Sequence, residues 1–146
     1  MNPPASHKAR EVCFLIGRGG AVLWSDASDS PSAMPDSRSR WEAIWDNRDD
    51  LEEIAHSHPH GPARFSQEDE TTMSALISAL GKAPRFSVVA PTKMIAREAN
   101  DAGNVQDVSV DPEPWWAALL RLASGMGPPP ASRAATTTSN EETKEE

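Results

Sequence analysis

Glycine and proline cut the apolar residues of this chain into short runs, and that punctuation decides which elements can form. EVCFLIG (11–17) stops at Gly17, and after Arg18-Gly19-Gly20 the chain resumes with AVLWS (21–25). A short apolar run closed by glycine reads as a buried strand, and the second run as its hairpin partner. LEEIAHS (51–57) reads as another strand, cut off by Pro59. RFSVVA (85–90) and KMIARE (93–98), joined through Pro91-Thr92, and VQDVSV (105–110) complete the set.

Helical spacing falls between these runs. Ser39-Arg40-Trp41-Glu42 has the form of a capping box, and a short helix behind it sets Trp41, Ile44 and Trp45 on one face. Ser66-Gln67-Glu68-Asp69 has capping form too. Met73, Leu76, Ile77 and Leu80 follow at helical spacing, and Gly81 suits the stop. Residues 112–124 carry Trp115, Trp116, Leu119, Leu120 and Leu122 and predict a closing helix. Strands, hairpins and helices mixed in this order predict an α/β (α+β) fold, one mixed sheet flanked by helices.

The 146 residues suit one domain, expected over 11–123 after a short N-terminal extension, 1–10. From Ser124 the chain reads SGMGPPPASRAATTTSNEETKEE, too poor in large apolar residues to offset the entropy of ordering, so 124–146 is expected to be a disordered tail. SDASDSPSAMPDSRSR (25–40) reads as a long surface loop, either a flexible linker or a cover for a site. A net charge of -8 argues against a nucleic-acid partner, which needs a basic face. The lone cysteine, Cys13, rules out an intrachain disulfide framework and fits a cytoplasmic setting. The first ten residues lack the apolar stretch of a signal peptide, and no apolar run approaches the roughly 18 residues of a membrane span. The oligomeric state is not readable.

Three of the four histidines fall within five positions, in HSHPHGPARFSQED (56–69). His56 and His58 are two apart, so on a strand both imidazoles point to one side. Asp69 lies in the first turn of the next helix, where an ionised carboxylate is favoured. The connection from Pro59 to Phe65 is long enough to return that turn to the strand end. Two histidines and one aspartate make a three-ligand catalytic zinc pattern with a fourth position left open. The plainer alternative is that Ser66 and Asp69 only cap a helix while the histidines are loop residues; the capping and ligand roles are compatible. His60, flanked by Pro59 and Gly61, reads as a rim residue. Cys13 reads as a small buried residue rather than a ligand.

His56-Ser57-His58-Pro59, six residues, then Ser66-Gln67-Glu68-Asp69 resembles the motif of the JAMM (JAB/MPN-plus) zinc metallopeptidases, and the chain as a whole resembles the small prokaryotic JAB domains over roughly residues 10–110. The resemblance implies Zn2+ on His56, His58 and Asp69. It also implies an upstream glutamate opening a strand, and Glu11 in EVCFLIG matches that position, with Phe14 where the family often has glycine. Among rival glutamates, Glu52 lies about 13 Å along its strand from His56, Glu53 points to the other face, and Glu42 reads as a solvated helix charge. Implied with the family are peptide or isopeptide hydrolysis, Glu11 as general base, Ser66 as oxyanion donor, and a ubiquitin-like or sulfur-carrier protein cut after its C-terminal glycine. A non-catalytic MPN-type binding module and a zinc hydrolase of a small non-peptide substrate are the alternatives.

Overall fold

The protein, here as a computed structural model, is described over residues 8–100 and 102–127; the expectations for residues 1–7 and 128–146 lie outside the described residues. The order is β1 (Val12–Gly17), β2 (Val22–Ala27), α1 (Arg38–Asp46), β3 (Leu51–Ser57), α2 (Gln67–Leu80), β4 (Arg85–Val89), β5 (Met94–Ala99), β6 (Val105–Ser109) and α3 (Trp115–Ser124). The strands form one mixed sheet in the order β2-β1-β3-β4-β5-β6. Only β3 and β4 pair in parallel, with α2 as the crossover between them; the other four pairings are antiparallel. Among the described residues no helix is long and apolar enough to cross a membrane.

Strand alternation divides the core in two. Cys13, Leu15, Ile54, Phe86 and Val88 face α1 and α2, where they meet Ile44, Met73 and Leu76. Val12, Phe14, Ile16, Ala55, Val89 and Met94 face α3, against Trp116, Ala117 and Leu120. Both sheet faces are covered, so β1 is buried along its whole length and reads as a continuous apolar run. Phe14 therefore sits on the α3 side, away from the histidines. The closing helix also buries Arg121, which donates to both carboxylate oxygens of Glu113 and to the Ala90 carbonyl at 2.9 Å. These bonds satisfy a charge that would otherwise be costly there.

Four local expectations change. α1 is capped by Ser37, whose hydroxyl accepts from Arg40 N–H, and not by Ser39; Glu42 instead pairs with Arg38 one turn back at 2.8 Å. The helix thus starts earlier; its buried face carries Ala43 and Ile44, while Trp45 is 50% exposed with Arg48 stacked on its ring at 4.0 Å. Ser124, expected both to end the closing helix and to open the tail, ends α3 and is buried, its hydroxyl donating to the Arg10 carbonyl at 2.6 Å. The stretch 25–40 begins inside β2 and ends inside α1, leaving a ten-residue loop, 28–37, held by specific bonds.

Candidate metal centre

The site stands at the end of β3, on the face that carries α1 and α2. β1 and β3 pair with Cys13 opposite His56. Two residues further along this register, Glu11 falls opposite His58. Ser57, between the two histidines, faces the other way and is fully buried; its Oγ accepts from Val12 N–H at 2.9 Å. That bond ties the start of β1 to the strand end that bears the histidines. Beyond Ser57 the chain leaves the sheet, and His58 N–H donates to the Val89 carbonyl at 2.9 Å. The connection then returns to Ser66, which opens α2 with a reciprocal capping box: Asp69 N–H donates to Ser66 Oγ at 3.0 Å, and Ser66 N–H to Asp69 Oδ2 at 2.8 Å.

The cap aims the Asp69 carboxylate at the histidines. Asp69 Oδ1 lies 3.1 Å from His56 Nε2, Oδ2 lies 3.3 Å from His58 Nε2, and the two Nε2 atoms are 3.1 Å apart. Burial works to raise the Asp69 pKa, but hydrogen bonds from His56, His58 and Ser66 hold the carboxyl well below the usual carboxylate range. Burial likewise works to lower the His58 pKa, and the hydrogen bonds to Asp69 and Pro62 outweigh it and raise it. The Pro62 carbonyl, 3.0 Å from His58 Nδ1, can only accept, so Nδ1 carries the hydrogen. In neutral His58 the Nε2 lone pair then faces the site, the tautomer a metal ligand needs.

Whether a metal fits is a matter of donor type and spacing. A tetrahedral site with nitrogen and oxygen ligands at about 2.0–2.1 Å holds its donors roughly 3.3 Å apart. Here the two Nε2 atoms are 3.1 Å apart, each lies 3.1 or 3.3 Å from a different oxygen of Asp69, and with one ligand atom per residue all three lie within 4.8 Å of one another. Two imidazole lone pairs and a carboxylate at that spacing repel one another unless a proton or a cation lies between them. Among the described residues, His56, His58 and Asp69 form a group that can hold a metal ion, and the donor set fits one. Cys13 takes no part: burial pushes its thiol up to about 12, so it stays protonated.

Glu11 is 7% exposed and lines the same cavity as the three donors. Burial raises its pKa; His56 and His58 pull it back without cancelling that effect. Its backbone is pinned to the serine loop: Glu11 N–H donates to the Ser30 carbonyl and Ser28 N–H to the Glu11 carbonyl, both at 2.9 Å. Ser66 also lines the cavity, and His60 is exposed at its edge. The rival glutamates are elsewhere. Glu52 is exposed, 3.8 Å from Arg18; Glu53 is 3.6 Å from Arg85 on the α3 side of the sheet; Glu42 pairs with Arg38 in solvent.

Ser57 and the loop serines 28 and 30 are the positioning residues that sequence reasoning missed. Their partners lie 45 and 17–19 positions away, and no local pattern signals such a bond. The loop also closes over the site: Pro31, Met34 and Asp36 line the cavity, and the Pro35 carbonyl accepts from Arg40, which in turn pairs with Asp26 at 3.2 Å.

The family model described as prokaryotic homologs of the JAB domain matches residues 6–117, a span that includes Glu11, both histidines, Ser66 and Asp69. No curated protein matches the chain.

Proposed function

The chain belongs to the prokaryotic homologues of the JAB domain, and from that premise we propose that it is a zinc-dependent hydrolase of peptide or isopeptide bonds. Its substrate in this reading is the glycine-ended C-terminal tail of a ubiquitin-like or sulfur-carrier protein, met in a reducing cytoplasm that suits its single thiol. The observation that carries the proposal is the convergence of two imidazoles and one carboxylate within 4.8 Å, beside a buried glutamate in one cavity.

Zinc would be held by His56, His58 and Asp69, and when bound it supplies Lewis acidity and makes water nucleophilic near neutral pH. Glu11 takes a proton from the attacking water and delivers it to the leaving amine. Its raised pKa suits a group that must both accept and return a proton. The Ser66 hydroxyl donates to the tetrahedral oxyanion. Its oxygen already accepts from Asp69 N–H, which leaves its own hydrogen free and its position fixed.

Elemental analysis and turnover test this together. Wild-type protein should carry about one zinc per chain, and His56→Ala, His58→Ala and Asp69→Ala should each lower occupancy. Glu11→Gln should keep zinc and lose turnover of a C-terminal fusion substrate by roughly 10². Ser66→Ala should lower turnover with zinc retained, while Glu52→Gln stays silent. Wild-type protein free of metal after zinc-replete expression would sink the enzyme and favour the binding module.

A further inference from the structure

The cavity that holds the metal ligands is much larger than the ligands need, about 690 Å³ in all. Its shape follows from the two elements that build the site. Along β3, Ile54 lies on the histidine face one strand repeat before His56, about 7 Å away. Across the parallel pairing Phe86 stands opposite Ile54. Along α2, Met73 and Leu76 lie on the Asp69 face, about 6 and 10 Å further down the helix axis. Strand and helix thus carry apolar walls away from the ligands in the same direction. Met34 and Trp41 close that arm from the loop and α1. α3 packs directly against β1, β3 and β4 on the opposite face, so the arm lies wholly on the α1 and α2 side of the sheet.

The arm is apolar by construction. Acidic and imidazole groups gather at the ligand end, around Glu11, His58 and Asp69. The Arg40 guanidinium, also in the lining, is already engaged by Asp26 and by the Pro35 carbonyl. Thr72 and Asp36 are further polar residues of the lining, but Ile54, Phe86, Met73, Leu76, Met34 and Trp41 make most of this arm, and a polar or charged side chain buried among them would cost free energy. A large apolar side chain gains from the same surroundings.

We propose that this arm is a specificity pocket for a leucine-, methionine- or phenylalanine-like side chain on the amine side of the bond that is cut. The assignment of side rests on the hydrolase reading above: an acyl partner ending in glycine has no side chain to place there. The preferred substrate is then a linear conjugate whose leaving residue is apolar, in place of a lysine isopeptide, whose ammonium-derived end reaches the bond through an unbranched stem.

The test separates pocket from chemistry. Methionine methyl groups are natural probes, because Met34 and Met73 line the cavity while Met94 lies in the α3 core. In zinc-loaded full-length protein carrying 13C-methyl methionine, N-acetyl-leucinamide and N-acetyl-phenylalaninamide should shift the Met34 and Met73 signals and leave Met94 in place. N-acetyl-glycinamide should shift none of them. Equal response to all three amides, or none, overturns the pocket, whether or not the protein hydrolyses anything. In turnover, glycylglycyl-X-amides with X as leucine or phenylalanine should exceed X as glycine, and a glycylglycyl conjugate on lysine Nζ, at least tenfold in kcat/KM. Hydrolysis that favours glycine or the lysine conjugate overturns the pocket and keeps the hydrolase. Methyl shifts without hydrolysis of any peptide keep the pocket and remove the hydrolase reading. Ile44→Phe, which fills the arm from α1, should abolish the methyl response without loss of bound zinc.

Discussion

Glu11 and Glu53 are both buried glutamates, and burial raises the pKa of each. What separates them is the sheet. Glu11 opens on the cavity with the histidines; Glu53 lies on the α3 side, where the neighbouring Ser87 hydroxyl and Arg85 pull its pKa down without cancelling the burial effect. A carboxyl whose folded pKa lies above its unfolded value binds its proton more tightly in the fold. Stability is then lost as pH rises from about 4.5 through the folded value. Glu53→Gln removes that loss. In urea titrations the variant should gain on wild type as pH rises above about 4.5, with turnover unchanged. A variant that instead falls behind wild type as pH rises would show that the Arg85 pair outweighs burial. The same residue-level contrast explains why a glutamate count alone could not select the base: the face, set by strand parity, decides.

At the scale of elements, α1 shows how a correct pattern can be placed in the wrong register. Ser39 and Glu42 have capping-box spacing, but Ser37 also precedes the helix, and it alone has the extended backbone and the bond to Arg40 N–H. Ser37→Ala should cost about 1 kcal/mol and Ser39→Ala almost nothing, read as thermal midpoints. In α3 the two adjacent tryptophans part ways, Trp116 being 2% exposed against 62% for Trp115. Trp116→Ala should cost roughly 3–5 kcal/mol, and Trp115→Ala far less. The six strands and the α2 cap were legible because short apolar runs and glycine stops are local signals. His56, His58 and Asp69 were legible for a related reason: strand parity and a cap fix their directions within fourteen residues. Ser57, the loop serines and the apolar arm were not, since each depends on elements that meet only across the sheet.

On the scale of the whole molecule, the sheet separates a closed side from an open one. The α3 side is sealed by Trp116, Leu120 and the Arg121–Glu113 pair, while the opposite side holds a cavity between β3 and α2 with the ligands at its mouth. His56 rides on β3, His58 stands just past the end of that strand, and Asp69 rides on α2, with residues 58–66 linking the two elements. A metal on these three groups therefore joins strand to helix on the side that holds the cavity, and it can do so only in the folded chain. Binding confined to the folded state adds stability with the logarithm of free ligand, about 2.7 kcal/mol at a hundredfold excess over Kd. For a domain of this size that is on the order of 10 °C in thermal midpoint. Wild-type Tm should climb steadily with free zinc and fall on chelation. His58→Ala should respond little, since only one imidazole then remains beside Asp69. Glu11→Gln should respond as wild type does, because its carboxylate is assigned to the proton and not to the metal. A Glu11→Gln midpoint indifferent to zinc would move Glu11 into the ligand set and leave the proton transfer without an owner.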